Sequence, residues 1–238
     1  MVIGPSSLQE LSNSPCLLLA VDTCGPAGSV ALGRLAAGTV EILGQIELEG
    51  RSYSSTLVAA VGELLTQAGI QLNRLHAMVA VNGPGSFTGV RVGLSAVKGL
   101  AEAAGIPVVA VSRLEVLAAK AGVQSAALDA HRHEVFLRIG GAGLDARELL
   151  AGAEELPAVD PAPMRIALCD EAAAELLRTA WPTTELVRVA APTAADALEL
   201  CAARVAAGEY VDVALLDGHY LRRSDAEIFG SPAEPQRA

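Results

Sequence analysis

The chain has 238 residues, of which 52% are hydrophobic and only 3% aromatic, and its formal net charge is −10. This length suits one large or two small domains, and the negative charge argues against direct binding of this chain to nucleic-acid phosphates. No apolar run approaches the roughly 18 residues of a membrane span, so we expect no contact with a membrane.

Residues 1–14 contain neither the basic region nor the apolar region of a signal peptide, and we expect them to form a disordered leader. The four cysteines, Cys16, Cys24, Cys169 and Cys201, have no paired spacing. Reduced thiols are typical of an intracellular protein, so the sequence predicts a cytoplasmic location.

The first predicted elements form a small sheet and a helix. Residues 16–35 contain an apolar strand, a turn from Asp22 to Gly28 and a second strand, which together predict a β-hairpin. A third strand is predicted at Val40–Glu47 and a helix between Gly50 and Gly69. The apolar positions of that helix recur at helical spacing and form one face, which comprises Leu57, Val61, Leu64, Leu65 and Ala68.

The segment from Ala77 to Val111 predicts a strand, a glycine loop, a helix and a second strand, close to the minimum length of a βαβ unit. The loop contains Gly83, Pro84, Gly85 and Ser86. The predicted bounds are Ala77–Val81 for the first strand, Phe87–Ala104 for the helix, which Gly105 ends, and Val108–Val111 for the second strand.

The helix at Phe87–Ala104 carries two adjoining apolar stripes, which are Val90, Leu94, Val97 and Ala101, and Gly89, Gly93, Ala96, Leu100 and Ala103. This is wider than the single stripe that a helix needs to pack on a sheet. Two interpretations remain open. The helix is buried within its own chain, or one side packs on the sheet while the other contacts another protein, with Gly89 and Gly93 permitting close approach.

After Ser112 the pattern favours a second α/β lobe, so that the lobes are residues 15–112 and 113–229. Its last helix is able to pack back on the first lobe, and residues 230–238 are expected to be a disordered tail. No internal repeat is evident. The predicted elements are helices at Leu114–Ala121, Ala146–Ala151, Glu171–Ala180 and Ala194–Ala207 and strands at Ser125–Asp129, Glu134–Ile139, Met164–Cys169 and Glu185–Val189.

The glycine loop is the first candidate binding site. It lacks the lysine of a Walker A motif, and Gly83, Gly85 and Gly89 have the spacing GxGxxxG instead of the GxGxxG of dinucleotide-binding folds. Ser112 and Arg113 stand where an acidic residue would hold NAD, so only a 2′-phosphate would suit them. The backbone N–H groups near Ser86 can form an anion nest, although glycine there can also serve the turn alone.

Two further groups of polar residues suggest a metal. Asp22 and Thr23 at the hairpin tip could hold a metal-bound phosphate, or Asp22 could bond its own backbone in an Asx turn. Asp129, His131 and His133 would share one face of a strand, or lie in an exposed turn. No nucleophile–base set can be assembled, so we predict no catalytic residue, no metal and no cofactor.

These segments together resemble a known family. The sequence AVDTCGPAGSVAL is similar to the opening hairpin of the actin/Hsp70/sugar-kinase (ASKHA) fold, and NGPGSFTGVRVGLSAVKGLAEAAGIPVVAVSRLEVLA to the signature segment of the bacterial TsaB (YeaZ) proteins. ALDAHRHEVF and HYLRRSDAE also match family segments. The resemblance extends from Leu17 to Glu227 and implies a two-lobed α/β ASKHA fold with a reduced second lobe.

The family resemblance implies a non-catalytic scaffold in the synthesis of threonylcarbamoyladenosine (t6A) in tRNA. Its expected partners are a TsaD-type transferase and a TsaE-type ATPase, with tRNA contacted only through the complex. TsaD-type enzymes bind metal through a histidine pair, HxxxH, and residues 51–69 here contain no histidine. Cys24 stands where the family usually has Ser or Thr, which weakens any nucleotide role for the hairpin.

The family's partner surface lies on the two helices of the first lobe, where a homodimer could also form. The residues that this implies are Leu57, Val61, Leu64, Leu65, Val90, Gly93, Leu94 and Val97. An alternative is a nucleotide-binding enzyme, either an actin-like ATPase or NADP-dependent, that uses the Gly83–Gly89 loop. A third possibility is a metalloprotein that uses Asp129, His131 and His133.

Overall fold

The structure is a computed structural model, and it describes residues 16–50, 52–141 and 144–222. The leader predicted at 1–14 and the tail predicted at 230–238 lie outside the described residues. Two five-stranded sheets, each with helices packed on it, account for most of the described chain. None of the helices in these ranges is both long enough and apolar enough to cross a membrane.

The first sheet has the strand order β3-β2-β1-β4-β5. β1 and β2 form the predicted hairpin, β3 continues the antiparallel meander, and β4 and β5 run parallel to β1. The strands are β1 (Cys16–Asp22), β2 (Ala27–Ala36), β3 (Thr39–Glu49), β4 (Ala77–Val81) and β5 (Val108–Val111).

Helices cover both faces of this sheet, which is why β4, and β1 as far as Val21, are apolar at every position instead of alternating. α1 (Tyr53–Gln67) packs on β2 and β3, and α2 (Phe87–Ala104) packs beside it on β1 and β4. α5 (Ala194–Ala206) lies on the opposite face of the sheet. Gly33 of β2 faces Leu198 of α5, whereas Gly44, which pairs with Leu32 just before Gly33, faces α1.

The second sheet repeats the plan of the first. Its order is β10-β9-β6-β7-β8, again an antiparallel meander followed by two strands parallel to the first one. α3 (Arg113–Lys120) leads into this sheet, and α4 (Glu171–Ala180) connects β9 to β10. The strands are β6 (Ala126–Asp129), β7 (Glu134–Gly141), β8 (Leu144–Gly152), β9 (Arg165–Leu168) and β10 (Glu185–Arg188).

The short helix predicted at Ala146–Ala151 is wrong, because these residues belong to strand β8. The segment is rich in good helix formers, but it pairs with β7 along nearly its whole length. The pairing buries Ala151 completely and places Glu148 opposite Arg138, with which it forms an ion pair. These cross-strand contacts outweigh a helix preference of a few tenths of a kcal/mol per residue.

Two glycines of helix α2 should respond to substitution in opposite directions. A Cβ atom at Gly89 would lie 2.1 Å from the Thr23 carbonyl oxygen, whereas one at Gly99 would meet no atom within 4 Å. We therefore expect Gly89→Ala to lower the free energy of unfolding by about 1–3 kcal/mol and Gly99→Ala to raise it by up to about 1 kcal/mol. Urea unfolding of both variants measures this, and equal effects would contradict the packing.

Candidate functional site

The tip of the first hairpin contains a buried ion pair. The Asp22 Oδ1 atom accepts a hydrogen bond from the Cys24 N–H at 2.8 Å, which forms an Asx turn, and Oδ2 accepts one from Arg113 Nε at 3.1 Å. The side chains of Asp22 and Arg113 are only 2% and 6% exposed. Arg113 is the first residue of α3, so the pair joins the hairpin of the first lobe to the helix that leads into the second.

The glycine loop packs against this tip instead of lining an open space. The Ser86 N–H donates to the Cys24 carbonyl at 2.8 Å, and Thr23 Oγ1 donates to the Gly89 carbonyl at 2.7 Å. A Cβ atom at Gly85 would lie only 2.1 Å from the Cys24 carbonyl oxygen. The candidate ligand residues of the hairpin and of the loop therefore lie together, but they bond to one another.

The other side of the loop is also covered. A Cβ atom at Gly83 would lie 3.1 Å from the His219 carbonyl oxygen, and the His219 N–H donates to the Asn82 carbonyl at 2.7 Å. The Ser86 side chain accepts from the Gly89 N–H and caps α2. The glycines thus explain the close contact of hairpin, loop and C-terminal segment without a phosphate.

The two ionisable side chains beside the ion pair, Cys24 and Tyr53, are uncharged at neutral pH. Burial, and then the Asp22 carboxylate, raises the pKa of the Cys24 thiol well above its usual value, and the thiol donates to the Val81 carbonyl. The same two causes raise the pKa of Tyr53 to about 12, and its hydroxyl donates to the Gly25 carbonyl. Cys24 is therefore a protonated structural thiol at neutral pH and not a nucleophile.

A second polar cluster, centred on Glu148, was not found from the sequence. Its carboxylate accepts from Ser112 Oγ at 2.6 Å and from Arg138 at 2.8 Å, and it lies 2.8 Å from His219 Nε2. Burial tends to raise the pKa of Glu148, but hydrogen bonds from His219, Ser112 and Arg138 lower it below its ordinary value. The cluster borders a cleft of about 300 Å³ beside Asn82, whose buried Oδ1 has no partner among the described residues.

The Asp129 turn repeats the geometry of the Asp22 turn at the surface. Asp129 Oδ1 accepts from the His131 N–H at 2.8 Å, and the His131 ring lies 2.9 Å from Oδ2. His131, Arg132 and His133 all have positive φ, so they form a tight turn and not the strand that would align the two rings. Within the described ranges no three His, Cys, Asp or Glu side chains are placed to hold a metal ion.

The eight residues predicted to contact a partner lie in the hydrophobic interior of this chain. All of them are buried against the first sheet or the neighbouring helix: Leu57, Val61, Leu64, Leu65, Val90, Gly93, Leu94 and Val97. Gly89 and Gly93 allow the close approach of the chain's own hairpin, since a Cβ at Gly93 would lie 2.2 Å from Thr23 Oγ1. This set is therefore corrected: these side chains form the core of the lobe and are not a free surface.

The same two helices expose a different set of residues on the side opposite the sheet. This set, which we call the helix-pair face, contains no charge and consists mostly of small side chains. Val58, the largest of them, is 60% exposed. The helix-pair face comprises Val58, Ala59 and Gly62 of α1 and Ser95, Gly99 and Ala103 of α2.

A comparison with solved structures supports the two-lobed architecture. The structure titled "YeaZ from Pseudomonas aeruginosa" is 32% identical in sequence, with a TM-score of 0.69 over 87% of this chain and 100% of that chain. A second structure, of an uncharacterized P. aeruginosa protein with similarity to peptidase YEAZ, gives a TM-score of 0.70 at the same identity and coverage. The predicted fold class is confirmed: this is a two-lobed α/β protein with an ASKHA-like fold.

Sequence comparisons agree with the structural ones. The family model "TsaD: tRNA N6-adenosine threonylcarbamoyltransferase" matches residues 43–146. The proteins named "tRNA threonylcarbamoyladenosine biosynthesis protein TsaB" of Haemophilus influenzae and Escherichia coli are each 38% identical over 125 residues, which is 50% of this chain and 51% and 52% of theirs. The chain thus spans about half the length of these curated relatives. It belongs to the TsaB/YeaZ family, as the sequence motifs predicted.

Removing one member of the buried ion pair should be costly. Asp22→Ala leaves the Arg113 charge buried without its partner, so we expect the free energy of unfolding to fall by about 3–5 kcal/mol. Glu41→Ala, which breaks the exposed Arg34–Glu41 pair, should cost less than about 1 kcal/mol. Urea unfolding of both variants provides the comparison, and a similar small cost for the two would show that the buried pair does not support the fold.

Glu148 should make stability depend on acid pH. Because the pKa of Glu148 is lowered in the folded protein, its charge stabilises the fold above the ordinary pKa of 4.5, and this contribution is lost as the pH falls through the lowered value. Glu148→Gln should lower the free energy of unfolding by about 1–3 kcal/mol at neutral pH.

The difference between wild type and Glu148→Gln should shrink as the pH falls below 4.5, as measured by urea unfolding across that range. Glu185→Gln serves as the control, since it removes a carboxylate from an exposed pair with Arg165. A cost of Glu148→Gln that stays constant from neutral to acid pH would disprove the role of the charge.

Proposed function

We propose that this chain is a non-catalytic subunit of a t6A-forming complex and that it docks and activates a TsaD-type transferase through the helix-pair face. A role in t6A synthesis follows from the names of the TsaB relatives. The single observation that carries the docking role is the presence of Gly62 and Gly99 in the middle of exposed helix faces.

Glycine in a helix interior costs about 1 kcal/mol relative to alanine, so a glycine there calls for a local reason. Gly89 has one, because the hairpin approaches it closely. Gly62 and Gly99 do not, since a Cβ atom at either position would meet nothing within 4 Å. A partner helix that packs closely against α1 and α2 would supply the missing reason. The other residues of the helix-pair face, which are uncharged and mostly small, suit such contact.

The absence of catalytic groups on the corresponding elements supports an accessory role. Helix α1 contains no histidine, whereas TsaD-type enzymes use a histidine pair on the corresponding helix to bind metal. The Asp22 carboxylate is committed to Arg113, and the glycine loop is covered on both sides by the protein itself. These contacts speak against the alternative of an ATPase or NADP-dependent enzyme that uses the Gly83–Gly89 loop.

The other proposed partners follow from the same family. A TsaE-type ATPase would join the complex, and tRNA would be held by the transferase, since the net charge of −10 disfavours phosphate binding by this chain. A homodimer through the helix-pair face would compete with the transferase, because one surface cannot hold both partners at once.

A reconstitution assay tests the proposal. The full chain is mixed with the TsaD-type transferase and TsaE-type ATPase of the same organism and with tRNA, and modified adenosine is quantified. We expect modification to depend on this chain, and Gly99→Arg to abolish it while the far-UV circular dichroism spectrum stays that of wild type.

The control is Ala172→Arg, which adds the same side chain at an exposed position of α4 in the second lobe and should leave modification unchanged. Charged residues at Leu94 or Val97 are unsuitable, since both side chains are buried and the variants would unfold. Full modification without this chain would disprove the proposed role. Full modification with Gly99→Arg would disprove only the docking surface.

A further inference from the structure

An arginine at the start of α2 packs on the ring of Phe87 and lies beside a second exposed ring, that of Tyr220. The Arg91 guanidinium carbon lies 3.8 Å from the centroid of the Phe87 ring and 6.0 Å from that of Tyr220. The two ring centroids are 5.2 Å apart, and Arg91 Nε is 3.4 Å from the Tyr220 hydroxyl oxygen. Phe87 and Tyr220 are 41% and 38% exposed, which is unusual in a chain so poor in aromatic residues.

The cluster is held in place from both sides. Phe87 and Arg91 are one turn apart on a helix that packs on the first sheet. Tyr220 follows His219, whose N–H donates to the Asn82 carbonyl and whose ring bonds to Glu148. The ring contacts and the hydrogen bond to Tyr220 restrict the orientation of the guanidinium before any partner arrives, which lowers the entropy cost of binding.

The Arg91 charge has no carboxylate within ion-pairing distance among residues 16–50, 52–141 and 144–222. Other arginines of the described chain do have one, as Arg113 has Asp22 and Arg138 has Glu148. In a protein with a net charge of −10, a guanidinium that has no acidic partner in the described part of the chain has donors available for an external acceptor.

The surroundings favour a protein carboxylate as that acceptor. Arginine and aromatic side chains are enriched in the residues that dominate the affinity of protein interfaces. A carboxylate can accept two parallel hydrogen bonds from a guanidinium, and the flanking rings would exclude water from them. RNA phosphates fit less well, because their binding needs several cations on one surface. Arg91 is one turn before Ser95, so it adjoins the helix-pair face.

We propose that Phe87, Arg91 and Tyr220 form an anchor point at the edge of the helix-pair face and that the Arg91 guanidinium binds an aspartate or glutamate side chain of the docked transferase. This inference depends on the proposed function, since it names the chemistry by which the same partner is recognised.

The test is the affinity of the full-length chain for the TsaD-type transferase of the same organism, measured by calorimetry. We expect Arg91→Gln to weaken binding by at least about tenfold, as truncating a buried charge pair does. Arg91→Lys keeps the charge but loses the planar fork and should weaken binding by at least about threefold. Arg74→Gln removes an equal charge from an exposed site away from the rings and should stay within about twofold.

Each outcome decides a different point. A loss below about threefold for Arg91→Gln, with wild type binding, overturns this inference and leaves the proposed function standing. Failure of wild type to bind overturns both. Binding of tRNA by the wild-type chain that Arg91→Gln abolishes would assign the guanidinium to phosphate and overturn the inference. If circular dichroism shows that Arg91→Gln is unfolded, Arg91→Lys decides the question by the same threefold limit.

Discussion

The Asp22 carboxylate and the Arg113 guanidinium lie where water is nearly excluded, so neither charge can remain without the other except at a cost of several kcal/mol. This requirement fixes three segments at once. Asp22 ends β1, Arg113 begins α3, and the Arg113 N–H donates to the Gly83 carbonyl at 2.6 Å. The hairpin tip, the glycine loop and the start of the second lobe are therefore fixed relative to one another. The start of α2 is fixed with them, because Ser86 of the loop caps that helix.

The two sheets share one strand arrangement, but the turn that follows the first strand has a different role in each. Asp22 and Asp129 each end the first strand of a sheet, and each accepts a hydrogen bond from the N–H two residues later. In the first lobe the second carboxylate oxygen meets a buried arginine, whereas in the second it meets the exposed ring of His131. The first turn therefore organises the interior, while the second remains a surface turn, although their backbone geometry begins in the same way.

Local signals made the segment from Ala77 to Val111 predictable. The bounds of β4, α2 and β5 agree with the sequence prediction, because Gly105 adopts a left-handed conformation at φ 67° and ends the helix. Strand β8 could not be predicted in this way, because its residues are good helix formers, and the Glu148 cluster depends on Ser112 and His219, which are distant in sequence. The sequence shows that the apolar surface of α2 is wide. Only the structure shows that Gly89 and Gly93 make room for the hairpin, whereas Gly99 is exposed.

The position of α5 has a consequence for how this protein is made. The helix follows every strand of the second sheet in the chain, yet its apolar side packs on the first sheet, with Leu198 and Cys201 fully buried there. During synthesis, residues 16–111 leave the ribosome well before Ala194–Ala206, so one apolar face of the first sheet stays uncovered in the meantime. The first lobe therefore completes its fold only after residues 194–206 have emerged, and until then the nascent chain exposes an apolar surface that is prone to aggregation.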